Sequence, residues 1–247
     1  MGIKQVAKNL VKHLVPTRMR FLIRKFLLQV HYRLFHISRK LRHKITLSEQ
    51  IRMQDSERER WKNVLDEIAK SGQKEIYEES ILKMEQELYA LFPENVKTIL
   101  ELGCGVGRES DIDRFRKNKY NYVGLDIYLP SLHTIKDKGE LSVCGAIEYL
   151  PFKKDSFDTV YARDTLEHSS NIKITLKEIK HVLKKEGILI FKVPIQWDDD
   201  PSHMIHLGMR AWERLISKRC GEIVKIKKLN YLNPKAIIGC VSITSKK

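Results

Sequence analysis

The chain has 247 residues, 42% hydrophobic and 31% charged, a balance that suits one globular α/β domain with an appendage and leaves no room for two large domains. Its formal net charge of +15 is uneven: residues 1–44 hold 12 Lys and Arg and no Asp or Glu, which leaves only +3 on the other 203 residues. The absence of a run of about 20 uncharged apolar residues excludes a spanning helix, and four widely spaced cysteines without a C-x-x-C pair exclude a zinc ribbon or redox motif and suit a reducing cytosol.

In chain order, Ile3, Val6, Leu10, Val11 and Leu14 recur at three- and four-residue spacing with Lys4, Lys8 and Lys12 on another face, the period of an amphipathic helix that Pro16 interrupts. A second apolar and basic segment runs from Met19 to about Leu41. The apolar run from Phe21 is broken by Arg24 and Lys25 and lacks a small-residue cleavage site, so no signal peptide is expected; Val6 stands where an N-myristoylation motif wants Ser or Thr. Basic amphipathic helices favour an anionic membrane surface, which makes residues 1–44 a candidate peripheral contact on the cytoplasmic face. Nucleic acid fits less well because the arm is so apolar, and packing on the chain's own domain or on a partner is the bland alternative. Residues 46–92 are helical in pattern, with Ser71-Gly72 as a stop and a last helix from about Glu79 to Phe92, ended by Pro93. The division expected is a helical extension over 1–92 and a second domain over 93–247.

From Val96 the period changes. Strand-like runs fall at 98–102, 120–126, 141–144, 157–162, 187–193, 222–229 and 236–244, with helical stretches between most of them. That alternation predicts a seven-stranded, mostly parallel, doubly wound sheet covered on both faces. The short link Leu232–Lys235 predicts an antiparallel hairpin at the end.

The segment Ile99-Leu-Glu-Leu-Gly-Cys-Gly-Val-Gly-Arg108 ends a strand, passes three alternate glycines and opens a helix. Glycines there let the backbone turn sharply and a ligand approach closely, at the carboxyl end of a strand where cofactors bind in open α/β sheets. The dinucleotide fingerprint G-x-G-x-x-G is not met, because Arg108 stands at its sixth position. Glu101 suits a ligand with a cationic amino-acid end. Asp126 closes the next strand about 20 residues on, the place of a carboxylate that accepts from two ribose hydroxyls. Each feature alone has an ordinary structural explanation; together they are far more specific.

On these residues, 97–194 resembles the class I S-adenosylmethionine (SAM) dependent methyltransferases, of the type acting on small molecules, lipids and quinones. Glu101-Leu-Gly-Cys-Gly-Val-Gly107 resembles the first motif and Asp126 the ribose-binding acid. Gly145-Ala-Ile-Glu-Tyr-Leu-Pro-Phe152 resembles the adenine-side motif, Ser156 to His168 the fourth strand and its loop, and Leu183 to Ile190 the turn into the fifth strand. The resemblance implies a Rossmann-like fold and SAM as cofactor, held by Glu101, Gly103, Cys104, Gly105, Gly107, Asp126, Ile127, Ala146, Ile147 and Arg163. Ala146 departs from the Asp the family usually carries, which loses one hydrogen bond to the adenine amine, on the order of 1 kcal/mol.

Methyl transfer needs positioned reactants and, for a hydroxyl acceptor, a base. Asp164, Glu167 and His168 lie at i, i+3 and i+4, which would put them on one side of a helical turn. His168 could act as base with a carboxylate orienting it. Alternatively, the trio resembles the Glu-x-x-Glu-His metal arrangement of ubiquinone-pathway and small-RNA O-methyltransferases; Leu-Glu-His is also frequent in family members that use no metal, and no metal ligand is assigned. In Trp197-Asp-Asp-Asp-Pro-Ser-His-Met-Ile-His206, His203 and His206 could reach the acceptor or complete a metal site with His168, or the segment could be only a polar lid with a helix N-cap. Trp212 and Leu215 read as core. Cys104 has no basic neighbour to activate it and reads as a small loop residue, not a nucleophile. The activity expected is methylation, on oxygen, of a small-molecule, sugar or lipid-linked acceptor. An RNA methyltransferase using the basic arm and a methyltransferase-like protein without turnover are the alternatives.

Overall fold

The computed structural model describes residues 74–195, 202–232 and 235–243, with the single positions Arg52 and Lys70; the amphipathic arm of residues 1–44 and the start of the Trp197–His206 segment lie outside them. The first described helix, α1, is Lys74–Tyr89, starting five residues ahead of the expected Glu79. Then come β1 (Thr98–Leu102), α2 (Glu109–Lys117), β2 (Asn121–Asp126), α3 (Leu129–Asp137), β3 (Leu141–Cys144) and β4 (Phe157–Arg163). A short 3-10 turn at Leu166–His168 precedes α4 (Ile172–Val182), β5 (Leu183–Pro194), α5 (Met209–Arg219), β6 (Glu222–Leu229) and β7 (Ala236–Ser242).

The seven strands form one sheet in the order β3-β2-β1-β4-β5-β7-β6. Strands β1 to β5 pair in parallel, and β7 runs antiparallel between β5 and β6, as the alternation and the short final link predict. The chain winds outward from β1 to β3, returns to β4 beside β1, and winds the other way. That reversal opens a crevice at the carboxyl ends of β1 and β4, the place where ligands enter such sheets.

Side chains of each buried strand alternate between two apolar layers, so the sheet is covered on both sides. Leu100, Val160 and Ala162 pack with Leu176 and Ile179 of α4 and with Trp212 and Ile216 of α5. Ile99 and Tyr161 face the other layer, with Met84 and Leu88 of α1, Phe115 of α2, and Leu132 and Ile135 of α3. Each fully buried aliphatic or aromatic side chain contributes roughly 1.5–3 kcal/mol. α1 thus closes one face of the same core as the strands. Trp212 is fully buried, as its spacing predicts, whereas Leu215 is half-buried.

Two segments differ from the sequence pattern. β5 begins at Leu183, four residues before the apolar run, because Leu183 pairs with Phe157 across an irregularity between Phe157 and Thr159. The turn after β4 is not a regular helix: Asp164 sits at φ +52° and only Leu166–His168 coil. The i, i+3, i+4 spacing therefore does not set Asp164, Glu167 and His168 on one face, since that geometry requires unbroken helical backbone across all of them.

Candidate functional site

The glycine loop fills the carboxyl end of β1. Gly103, Gly105 and Gly107 all take left-handed backbone, at φ +66°, +54° and +69°, a region that costs an L side chain about 1–2 kcal/mol. Their surroundings differ. A Cβ at Gly103 would lie 2.4 Å from Thr165 Oγ1, and one at Gly107 2.6 Å from Ile112 Cδ1, so these two are packed against the protein. A Cβ at Gly105 would meet nothing within 4 Å: this is the face of the loop that is open to a ligand.

Asp126 anchors that open glycine. Its Oδ2 accepts from the Gly105 amide at 2.8 Å and its Oδ1 from the Tyr128 amide at 2.8 Å. Each carboxylate oxygen keeps a further lone pair for a hydroxyl. The Leu125 carbonyl accepts from the amides of Gly103 and Cys104, which ties the loop to the end of β2. The Cys104 side chain is buried against Gly124, whose Cβ would lie 2.8 Å from Sγ, and burial pushes its thiol above the usual range. Beyond β3, the Gly145 amide donates to the Asp126 carbonyl, which brings Ala146 and Ile147 to the same crevice edge; Ile147 packs partly on the core and Ile127 follows Asp126 directly.

Glu101 lies at the base of the loop, next to the last residue of β1. It is 4% exposed and accepts from Tyr122 Oη at 2.7 Å. Burial, reinforced by the nearby Asp111 charge, pushes its carboxyl up to about 8. Arg163 turns inward. Its Nη1 lies 2.8 Å from Glu85 Oε1 and 3.5 Å from Asp111 Oδ2, in a cluster that Tyr89 and Tyr161 complete through Asp111. Burial disfavours the guanidinium charge, but Tyr161, Asp111, Asp164 and Glu85 outweigh it and hold the group well above its ordinary range.

Past β4, Asp164 pairs with Lys192 on the neighbouring strand, and this cation with Arg108 keeps its carboxyl low against the opposing effect of burial. Glu167, His168 and His203 come together, with one ligand atom of each within 4.8 Å of the others. The contact is built by backbone: the amides of Met204 and Ile205 donate to the Glu167 carbonyl at 2.7 and 2.9 Å. His168 Nδ1 lies 3.2 Å from the Ser202 carbonyl, and the His168 and His203 rings meet edge to face at 4.9 Å. His206 Nε2 lies 2.7 Å from the His203 carbonyl. A carbonyl at one ring nitrogen makes that nitrogen the donor, so in the neutral ring the lone pair sits on the other nitrogen, the one a base or a metal ligand uses.

Sequence spacing missed the residues that hold these groups in place. Thr165 packs on Gly103 and donates to the Leu102 carbonyl at 2.9 Å. Glu148 is buried and one of its oxygens accepts from Ser169 Oγ and from the Ser170 amide and hydroxyl, joining the Ala146–Ile147 loop to the segment after His168. Tyr122, one residue into β2, was legible only as a strand residue.

Residues 100–191 match a family model described as a methyltransferase domain. The chain is 31% identical over 171 residues to the uncharacterized protein MJ1252 of Methanocaldococcus jannaschii, covering 67% of this chain and 64% of that one. It is 30% identical over 87 residues to the sarcosine/dimethylglycine N-methyltransferase of Aphanothece halophytica, covering 31% of each. The chain therefore spans less than two thirds of the length of either relative. Among solved structures, the cyclase SpnF superposes with a TM-score of 0.59 at 14% identity, covering 66% of this chain and 82% of that one, a likeness of fold.

Proposed function

We propose that this chain, whose residues 100–191 match a methyltransferase domain, is a class I SAM-dependent enzyme that transfers a methyl group from SAM to a hydroxyl oxygen of a small-molecule, sugar or lipid-linked acceptor. One observation carries the reading: Gly105 has left-handed backbone with open space in front of it and Asp126 bonded behind it. In this reading the loop Gly103–Gly107 cradles the methionine end, Asp126 takes the ribose hydroxyls, and Ile127, Ala146 and Ile147 meet the adenine. Ala146 has no side-chain acceptor for the adenine amine, so the ring relies on backbone and apolar contact.

The reaction is an in-line displacement. The acceptor oxygen attacks the methyl carbon, the carbon–sulfur bond breaks, and its electron pair returns to sulfur as a neutral thioether. The hydroxyl proton must leave, and the His168 imidazole takes it, with Glu167 and His203 beside it. This base suits a hydroxyl acceptor, whose oxygen becomes a strong nucleophile only as its proton leaves. A second reading rests on the same closeness: Glu167, His168 and His203 would hold a divalent cation that acidifies the acceptor hydroxyl. The 12 Lys and Arg of residues 1–44 support an anionic membrane surface as a partner.

The test is calorimetry with SAM and its demethylated product, followed by transfer of labelled methyl from SAM to cell lipid, metabolite and RNA fractions. Label in a base-stable ether of a lipid or metabolite is expected. Label confined to RNA would move the assignment to an RNA methyltransferase, and absence of heat from folded protein would leave a methyltransferase-like binding module. Loss of transfer on chelation, regained with one divalent metal, would select the second reading.

A further inference from the structure

A groove of about 560 Å³ runs beside α5, with one wall reaching α4. Its apolar floor is Leu207, Ala211 and Leu215. Its rim is cationic: Lys173 from α4, and Arg210, Arg214, Lys218 and Arg219 from α5. Arg210, Arg214 and Lys218 follow one another at four-residue spacing, so they form a single stripe along the helix, where like charges repel. All five rim cations are exposed, and among the described residues none enters an ion pair. The carboxylates on the same two helices, Glu178 and Glu213, do not line the groove, and Glu178 accepts from the Leu150 amide. Outside residues 1–44 the chain is nearly neutral, so this concentration of cations is local.

We propose that this groove binds a phosphate-bearing amphiphile, a single apolar chain ending in a phosphate or pyrophosphate. The cations match the head and the floor matches the chain. Three observations choose this occupant over other anions. The volume falls in the range of single-ligand pockets, roughly 300–1,000 Å³. The apolar residues Leu207 and Leu215 are half-buried on a concave floor, whereas docking on a flat bilayer needs apolar side chains that protrude. Among the described residues no aromatic side chain lines the groove, which argues against the stacking platform on which single-stranded nucleic acid binds.

Both walls continue the segments that carry the candidate base. Leu207 follows His206 directly, and Lys173 is the second residue of α4, which begins shortly after His168. An amphiphile held there lies beside the acceptor side of the crevice, and the groove then serves as the anchor for a lipid-phosphate acceptor. That consequence rests on the methyltransferase reading; the binding itself does not.

The experiment titrates the full chain with decyl phosphate by calorimetry. Inorganic phosphate, decyl maltoside, phosphatidylglycerol vesicles and oligouridine are run as parallel probes, and SAM is titrated separately. Decyl phosphate is expected to bind saturably at one site, at least about tenfold tighter than inorganic phosphate or decyl maltoside. The double variant Arg210→Glu/Arg214→Glu should weaken it by about tenfold or more, and Leu215→Asn should weaken decyl phosphate but not inorganic phosphate. If the charge reversal lowers the melting temperature, Arg210→Gln/Arg214→Gln replaces it. Absence of saturable binding overturns the proposal. So does equal affinity for inorganic phosphate, insensitivity to both arginine variants, or vesicle or oligouridine binding lost in those variants while decyl phosphate gives no heat. Heat with decyl phosphate but none with SAM would sink the methyltransferase reading and leave this site standing.

Discussion

The two ends of the parallel strands treat their carboxylates in opposite ways. At the amino end, Asp158 bridges β4 to β1: Oδ2 accepts from the Thr98 amide and hydroxyl, both at 2.8 Å, and from the Lys97 amide at 3.1 Å, while Oδ1 faces Lys184 at 2.9 Å. Burial alone would raise its carboxyl, but Lys184 and Thr98 outweigh that and hold it below the usual range. At the carboxyl end, Glu101 has Tyr122 as its hydrogen-bond donor, and burial raises it to about 8. Asp126 there clamps an amide of the open glycine loop. The Asp158 cluster at the amino end is paired and ties β4 to β1. The carboxyl end keeps left-handed backbone and an under-paired acid where a ligand enters, a division expected when stability and function occupy opposite edges of one sheet.

Substitutions at the two ends should therefore separate binding from stability. The largest effect is expected for Asp126→Ala, which frees the Gly105 amide and, in the proposed binding mode, removes both acceptors for the ribose hydroxyls. Two hydrogen bonds to a charged group, about 1.5–3 kcal/mol each, give a loss of at least about 100-fold in SAM affinity by calorimetry. Gly105→Ala should cost about tenfold or more in affinity, because its methyl group enters open ligand space, while the left-handed backbone costs the fold only about 1–2 kcal/mol. Asp158→Asn should do the reverse: about 1–3 kcal/mol of stability lost in a urea melt at neutral pH, with SAM affinity unchanged. Since the Asp158 carboxyl is held low, its contribution is present above the unfolded pKa and fades as pH falls through the folded one, so the variant should also show a flatter acid limb. A loss of SAM affinity in Asp158→Asn would mean that the two ends are not independent.

This division was partly legible in the sequence. The strands and the doubly wound, mostly parallel class of their sheet were readable, because short apolar runs bounded by polar turns alternate with helical spacing, and the glycine loop and Asp126 sit at chain positions that such winding makes functional. β5 was read short because the charged stretch Lys184-Lys-Glu186 carries no apolar alternation, although Leu183 pairs with Phe157. The trio after β4 was read as one helical face, and the left-handed turn at Asp164 sends that side chain to Lys192 instead, a partner on another strand. The reading of Glu101 and Arg163 as cofactor contacts came from their places in the motifs. The partners they also meet, Tyr122 for Glu101 and Glu85 and Asp111 for Arg163, are distant in the chain and come together only once the helices pack. Local spacing reports what one element presents, not what a second element brings to meet it.

The smallest expected effect tests the assignment of Glu101 most directly. Its carboxyl is about 8 in the fold against an ordinary value of 4.5, so folding takes up a proton at every pH between the two. The folded state then binds more protons than the unfolded state, and stability falls as pH rises across that window and levels off above it. Glu101→Gln keeps a partner for Tyr122 and removes the ionisation. The variant's melting temperature, relative to the parent, should therefore climb by several degrees from pH 5 to pH 9, the direction opposite to that at Asp158. Its SAM affinity at neutral pH should change by only about a few-fold, because the carboxyl is already protonated there and Gln keeps its shape and polarity. A melting difference that stays constant over the same pH range would mean that Glu101 is ionised in the fold, and the contrast between the two ends would then reduce to the geometry of the glycine loop.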